Sequence, residues 1–425
     1  MKTRPTPTGP HRAARACAIG SLLIAPVLAH AQSNIKPPQA QAWIDVATFS
    51  GMGMPMGGAA GVDPMAALGG LFGGGGGGGG GGKNTFGHTQ TGSTGRWVDV
   101  TLQSRGNPAL AEAEQAVPAG FQPSPLKLQA PKQAPKAPDN DEAVIDPQAE
   151  RPRGKLLLYW GCGEAVRAGQ PKVLDVASAS AADMAKFFVS RRATQRGAHS
   201  AAGRPLWPSP ADGRVLAAGA RLGGEHAFSG SGVPAAFRFQ IPAAQELMPA
   251  LDLKTRDAGG AVELSWTSAP TARAYFAAGM AAGAKEETVL WTSSELPDTG
   301  FGLTDYQTNV AIDRWLKEKV LLAPATTRCT VPRGVFSGEG AMLRLIGYGN
   351  ELNLAHPPRP ADPKAAWAPE WAVKVRVKSM ATAMLGMPAM GGMGGTDKPA
   401  PEQPERGSTE KAPGALDILR GVLGR

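Results

Sequence analysis

The feature that most constrains this chain is the alternation of apolar and polar residues in short segments. It is sharpest at 262–266, where Val262, Leu264 and Trp266 would share one face of an extended strand and polar residues the other. Seven further segments have strand-like patterns: 43–49, 97–103, 155–163, 236–241, 275–276, 289–291 and 342–348. Half-buried strands in this number predict a mainly β fold.

The last predicted strand, 371–378, alternates most regularly. Trp371 and three valines occupy one set of positions, and Lys374, Arg376 and Lys378 the other. Because lysines in the middle of a strand belong on a solvated face, we expect these three cations to face water.

Two helices are expected beside the strands. The stronger prediction is 308–322, where Ile312, Trp315 and Leu316 follow helical spacing and Pro324 ends the pattern. A shorter helix is predicted at 181–189. The fold class that follows is a mainly β body with an added helix and long disordered segments.

Low-complexity segments divide the chain. The strands at 43–49 and 97–103 both begin with an aromatic-aliphatic-Asp-Val tetrad, and we expect them to be antiparallel neighbours within an N-terminal region, 32–110. The Met- and Gly-rich loop between them, 50–95, contains ten consecutive glycines and is predicted to be disordered. The remaining expected units are a Pro-rich linker at 111–152, a β-rich body at 153–380 with a possible sub-boundary near 250, and a disordered tail at 381–425.

The N-terminus has the pattern of a secretory signal at 1–31. Four basic residues precede an apolar run that is too short for a permanent membrane span, and Ala29-His30-Ala31 forms a small-x-small cleavage site. The mature chain would begin at Gln32 with no transmembrane span. We therefore expect an exported protein, periplasmic or associated with the cell surface.

The net charge bears on the kind of macromolecule that the chain can bind, and the cysteine content predicts a disulfide. The chain carries a formal net charge of +9, and removing the four basic residues of the signal leaves 9 − 4 = +5, not concentrated in one block. Export and the absence of a basic stripe with interleaved aromatics argue against nucleic acid as a partner. The two cysteines of the mature chain, Cys162 and Cys329, are predicted to form a disulfide, with two separate buried thiols as the alternative.

Two resemblances bear on these expectations. Leu264-Ser265-Trp266 followed by Tyr275 resembles the early strands of fibronectin type III and other immunoglobulin-like sandwiches, in which a Trp and a Tyr on successive strands pack the core. This likeness implies that the β-rich body is an immunoglobulin-like β-sandwich, or a pair of them, with the helix added on the outside. The overall layout resembles uncharacterised exported proteins of Gram-negative bacteria with Met/Gly-rich segments. The residues that carry this second likeness are the signal, the 43–49 strand before the Met/Gly repeats, 159–164 and 356–360. It implies a layout and no function.

Methionine repeats are the clearest chemical motif. Met52, Met54 and Met56 form one cluster, and Met384, Met387, Met390 and Met393 form a second. Thioethers are soft ligands that suit Cu(I). The other interpretation is a flexible, lightly apolar segment. Because no His or Cys reinforces either cluster, the sequence predicts no Cu(I) affinity tighter than micromolar.

Other motifs carry little chemistry. Gly77 to Gly82 followed by Lys83 lacks the Ser or Thr of a phosphate-binding loop and any strand leading into it. No histidine pair has metal-ligand spacing; the mature histidines are His88, His199, His226 and His356. Trp207, between two prolines, is the tryptophan that we single out as a candidate for a ligand groove; core packing is the usual explanation for a tryptophan and stays the alternative.

The sequence therefore assigns no catalytic, cofactor-binding or metal-ligating residue and no cofactor. It favours a non-enzymatic envelope protein that binds or scaffolds another envelope protein or polymer. Cu(I) binding by the Met repeats is the first alternative. The second is an enzyme acting on envelope polymer, which would require His226 or His356 beside a carboxylate in a cleft.

Overall fold

The computed structural model describes residues 35–51, 84–91, 94–132, 154–189, 191, 197–284, 287–336, 340–362 and 364–385. Within these ranges the protein has seventeen strands and three α-helices. The strands are β1 Ala40–Gly51, β2 Gly95–Ser104, β3 Glu112–Ala116, β4 Leu126–Gln129, β5 Lys155–Trp160, β6 Lys172–Asp175, β7 Leu206–Trp207, β8 Gly224–Ser229, β9 Arg238–Ile241, β10 Lys254–Asp257, β11 Val262–Ser265, β12 Ala274–Ala282, β13 Glu287–Thr292, β14 Arg328–Val331, β15 Met342–Tyr348, β16 Leu352–His356 and β17 Trp371–Met384. The helices are α1 His88–Thr91, α2 Ala181–Phe187 and α3 Asn309–Lys317.

Fourteen strands form one hydrogen-bonded sheet in the order β6-β5-β13-β12-β15-β17-β1-β2-β7-β4-β3-β8-β9, with β16 added to β17. Most neighbours are antiparallel, but β1 pairs in parallel with β17, and β5 with β13. The aromatic ring of Phe237, which leads into β9 at one end of this order, stacks on Trp371 of β17 near the middle, with ring centroids 5.0 Å apart. The sheet thus folds over itself, and the predicted class, mainly β with a sandwich-like body, is confirmed.

A second sheet, β10-β11-β14, lies against the first. The Trp266 ring, just beyond β11, packs against Tyr275 of β12 at a centroid distance of 5.6 Å. Cys162 follows β5 of the large sheet and bonds to Cys329 of β14, with their Cα atoms 5.2 Å apart. The predicted disulfide is therefore present, and it joins the two sheets.

Each of the nine segments predicted as strands overlaps an observed strand, whereas the other eight of the seventeen described strands were not predicted. The predicted antiparallel pairing of the first two strands is confirmed by a continuous register from Ala40–Ser104 to Phe49–Gly95. The short helix is confirmed as α2. The longer predicted helix, 308–322, ends early, because α3 stops at Lys317 and Lys319 adopts a positive φ of 57°.

The predicted domain boundaries need three corrections. The supposed linker 111–152 contains β3 and β4, which belong to the large sheet. Within the loop 50–95, residues 84–91 are folded, with α1 inside them. The tail predicted from 381 begins later, since β17 continues to Met384 and Ala381 is buried. β3 and β4 are only five and four residues long, so the high proline content around them hid their strand pattern.

The N-terminal strands are central instead of peripheral. β1 lies between β17 and β2, so strands from both sides of the proposed boundaries near 153 and 250 alternate in one sheet. The signal at 1–31, the segments 52–83 and 92–93 of the Met/Gly loop, and residues 386–425 lie outside the described residues.

Candidate functional site

The most unusual feature of the large sheet is a cluster of charged side chains between the sheet and the segments that cover it. Asp45 of β1, Asp99 of β2, and Arg376 and Lys378 of β17 lie on one face, with Tyr306 packed over them. We call these five residues the polar layer. The prediction that the basic face of 371–378 is solvated is wrong, since Arg376 is 4% exposed and Lys378 2% exposed.

Both faces of β17 are buried because different parts of the chain cover them. Val373, Val375 and Val377 belong to the main apolar core, whereas Met380 on the basic face packs in a second core that includes α3. A regular alternation of valine and lysine was therefore not a sign of a solvated face. The covering segments come from regions far away along the chain, which sequence periodicity does not reveal.

At the centre of the polar layer, Asp45 and Arg376 form a bidentate ion pair. They are direct partners in the parallel register, and their bonds measure 2.7 Å from Nε to Oδ1 and 2.6 Å from Nη2 to Oδ2. The backbone N–H of Ala198 donates to Asp45 at 2.9 Å. Gly197 lies so close that a Cβ there would be 1.6 Å from Nη2 of Arg376, so this position has no room for a side chain.

Asp99 lies directly across from Asp45 in the antiparallel register. It accepts hydrogen bonds from the backbone N–H of Gly87 at 2.9 Å and from the N–H and hydroxyl of Thr89 in α1. Burial raises the pKa of Asp99 to about 6, and the nearby Asp45 carboxylate contributes to the increase while these hydrogen bonds oppose it. Two carboxylates face each other here, and only Asp45 has a guanidinium against it.

Lys378 is held mainly by aromatic rings and weak polar contacts. Its Nζ lies 4.4 Å from the centroid of Tyr306, 3.5 Å from the carbonyl of Thr304 and 3.9 Å from Asp305. Burial lowers the pKa of Lys378 to about 8, with Arg376 acting in the same direction and Asp305 against it. The buried hydroxyl of Tyr306 has no hydrogen-bond partner among the described residues.

The polar layer contains groups that titrate near neutral pH, a property that active sites share. None of its five residues is more than 4% exposed, however, so a substrate cannot reach it in this conformation. Its chemistry therefore acts on the protein itself: it links β1, β2 and β17 to the segments above them. The signal in the sequence was an Asp in the middle of each aromatic-aliphatic-Asp-Val tetrad, facing the same way as Trp43 or Trp97.

His226 and His356 are the two histidines on which the enzyme alternative depends. His226 is buried, lies 3.1 Å from the Gln115 amide and 2.9 Å from the Leu222 carbonyl, and has its pKa lowered by burial. His356 stacks on Trp371 at the end of β16. The enzyme alternative requires a carboxylate beside one of these two histidines. Among the described residues, neither has a carboxylate among its polar contacts.

Of the remaining sequence candidates, Trp207 and Met384 lie within the described residues. Trp207 is fully buried in β7 between β2 and β4, so it packs in the core and does not line an exposed groove. The glycine-lysine segment and the methionines of both repeats, apart from Met384, lie outside the described residues. Among those described, no group of three or more His, Cys, Asp or Glu residues is placed to hold a metal ion.

An accessible candidate site lies at the edge of the large sheet. β6 is its first strand, and α2 lies beside it, leaving a shallow groove of about 320 Å³ between them. Leu174 and Phe187 line the groove and are both 5% exposed, while Val173 on the same strand is 55% exposed. Lysines and aspartates of both elements complete the lining: Lys172, Asp175, Asp183 and Lys186. We call this the edge groove.

The backbone of β6 leaves hydrogen-bonding groups directed outward. The N–H of Val176 donates to the carbonyl of Gly154 at 3.0 Å, which sets the alternation of inward and outward groups along the antiparallel pair. By that alternation, the N–H and C=O of Val173 point away from β5. The helix over the groove is fixed by a reciprocal cap, in which Ser180 and Asp183 each accept from the other's backbone N–H.

Comparisons with known proteins add no identity. No family model, curated protein or solved structure matches this chain. None of the helices in the described part of the chain is long and apolar enough to cross a bilayer.

Proposed function

We propose that this chain is an exported, non-enzymatic envelope protein that binds an extended segment of another envelope protein at the edge groove. Strand addition to a free sheet edge supplies backbone hydrogen bonds, and an adjacent pocket provides side-chain selectivity. The observation that carries the proposal is the outer edge of β6 beside α2, which pairs with no other strand in the described part of the chain and has an exposed valine and a groove next to it.

Other sheet edges are less suited to this role. β10, at the edge of the small sheet, is fully exposed and carries Lys254, Arg256 and Asp257, with Arg256 paired to Glu263. Charged edges of this kind discourage strand addition. β6 also has charged residues, Lys172 and Asp175, but only at its two ends, with Val173 and Leu174 between them. At the far end of the large sheet, Phe237 and Phe239 pack against Trp371. β6 combines an exposed apolar side chain with a neighbouring groove.

A matched set of variants tests the proposed site. Val173→Pro removes an outward N–H, and Val173→Lys places a charge on the edge; Val215→Lys, at a valine with nearly equal exposure of 57%, is the control. The wild type is used to select extended decapeptides from a displayed library, and their dissociation constants are measured for each variant. Binding should be lost in Val173→Pro, weakened in Val173→Lys and unchanged in Val215→Lys. Equal binding by Val173→Pro would refute the edge groove as the site.

Export is a separate part of the proposal and rests on the signal pattern. The intact mass of the protein recovered from the envelope fraction should match a chain that starts at Gln32, with or without the loss of ammonia that accompanies cyclisation of an N-terminal glutamine. A chain that retains Met1 and stays in the cytoplasm would remove the envelope from the proposal while leaving the peptide-binding test intact.

A further inference from the structure

Three methionines form a row across β12, β15 and β17, near the ends of these three adjacent strands. Met280 of β12 is the direct register partner of Met342 of β15, and Met342 is the direct partner of Met384 of β17. Direct partners in antiparallel pairs share a face, so all three thioethers project from the same side. Of these three, only Met384 belongs to a methionine repeat in the sequence; strand pairing brings Met280 and Met342 beside it.

The row lies at the rim of the core. All three methionines are half-buried; Met280 packs against two apolar clusters, and Met342 against one of them. The outer strands of the row are about 10 Å apart, twice the spacing of neighbouring strands. Long, unbranched methionine side chains can lean inward over this distance, so that three sulfur atoms meet above Met342.

We propose that Met280, Met342 and Met384 form a binding site for a soft monovalent cation, Cu(I) in particular. Three neutral thioethers provide an all-sulfur donor set, which suits Cu(I) better than Zn²⁺ or Mg²⁺. Arg344 lies two residues along β15 on the same face, and Ala278 and Thr382 are its partners in that row. Its positive charge repels a divalent ion about twice as strongly as a monovalent one, which adds to the preference.

The methionine row lies near the point where the chain leaves β1 and β17. Gly51, the last residue of β1, pairs with Thr382 of the parallel strand β17. Both strands therefore end on the same side of the sheet, and in the sequence each is followed by a methionine repeat, at 52–56 and 387–393. The proposed site itself consists of the three row methionines alone.

The prediction of weak Cu(I) affinity concerned the two methionine repeats and did not include Met280 or Met342. The competing interpretation is that the three methionines only fill space at the rim. Substitution of a methionine by leucine separates the two, because it removes a thioether at nearly constant volume and usually costs under about 1.5 kcal/mol of stability.

The test uses the full mature chain, Cu(I) competed against a chromogenic chelator under anaerobic conditions, and Ag(I) as a probe that does not change oxidation state. Met342→Leu should weaken Cu(I) binding by about tenfold or more. Met248→Leu, at a fully buried core methionine outside the row, is the matched control and should leave the affinity unchanged. In spectra of ¹³C-methyl methionine, Ag(I) should shift the signals of the three row residues and not that of Met248.

Two results would overturn the site. One is an unchanged Cu(I) affinity in the variant with all three row methionines replaced by leucine, with binding lost when the methionines of 52–56 and 387–393 are replaced. The other is no withdrawal of Cu(I) from the chelator by the wild type. A variant that lacks the repeats and keeps the row should still bind one ion.

Discussion

Replacing either partner of the buried Asp45–Arg376 pair should destabilise the protein severely. Asp45→Asn keeps the size of the side chain and an acceptor for the N–H of Ala198 but removes the negative charge. Arg376→Met keeps much of the apolar stem and removes the positive charge. Each change leaves one charge inside the protein without its partner.

The size of the effect follows from burial and geometry. The side chains of Arg376 and Asp45 are 5% and 1% exposed, and two bonds of 2.6 and 2.7 Å join them. Breaking a buried, hydrogen-bonded ion pair by removing one partner costs about 3–5 kcal/mol. In Asp45→Asn, Arg376 would also remain next to Lys378 without a fixed anion, and in Arg376→Met, Asp45 would face Asp99.

Urea denaturation of the wild type, the two single variants and the double variant Asp45→Asn/Arg376→Met measures this. Because the double variant contains no uncompensated charge from this pair, it should lose less stability than either single variant. The slope of the unfolding free energy against urea should stay constant, since a change in slope would mean that a different folded or unfolded state is being compared.

A loss below about 1 kcal/mol in both single variants would refute the reasoning, because exposed ion pairs contribute that amount. Additive losses in the double variant would also contradict it, since they would mean that the two side chains act independently. In either case the polar layer would be hydrated in solution, contrary to the burial seen here.

Two further predictions concern the pH dependence and the disulfide. Because burial raises the pKa of Asp99 from 3.8 to about 6 in the folded state, the folded protein binds more protons than the unfolded one between these pH values, and the free energy of unfolding should fall by about 3 kcal/mol as the pH rises from below 4 to above 6. Asp99→Asn should remove this contribution from the difference in unfolding free energy between pH 4 and pH 7. An unchanged difference would contradict the effect of burial on Asp99. Replacing Cys162 and Cys329 together by serine should lower the free energy of unfolding by about 4–5 kcal/mol, because the bond closes a loop with a sequence separation of 167, and equal denaturation midpoints for the two proteins would show that the bond contributes nothing.

Strand positions were predictable where alternation reflects local geometry. The run from Trp371 has a period of two because its two faces differ, and β17 begins where the pattern begins. The pairing of the two tetrad strands also followed from their order in the chain. These predictions depend on interactions within one or two segments, which the sequence shows directly.

The environment of each strand face was not predictable in the same way. The cations of β17 are buried because loop segments from residues 197–204 and 301–308 and helix α1 fold over this face, and they bring Ala198, Tyr306 and Thr89 to it. Alternation reports that two faces differ in polarity, but a polar face can contact water or other polar groups. The same limit applies to the methionine row, which exists only because three strands from distant parts of the chain pair in one register.

The polar layer also bears on the register of β17, the strand that carries Met384 of the methionine row. A shift of β1 by one residue against β17 would turn Asp45 to the other face, into the apolar core beside Val375, and would leave Arg376 without its partner. Buried polar groups fix strand or helix register in some proteins, and a parallel pair of long strands with many small and β-branched residues has few other features to select one alignment. The Asp45–Arg376 pair thus fixes the alignment of β1 with β17, whereas the pairing of β17 with β15 sets Met384 opposite Met342. If the pair acts in this way, the double variant should remain folded but show weakened protection of β1 and β17 amides in hydrogen exchange, while the edge groove at β6, five strands away in the sheet order, should keep its peptide affinity.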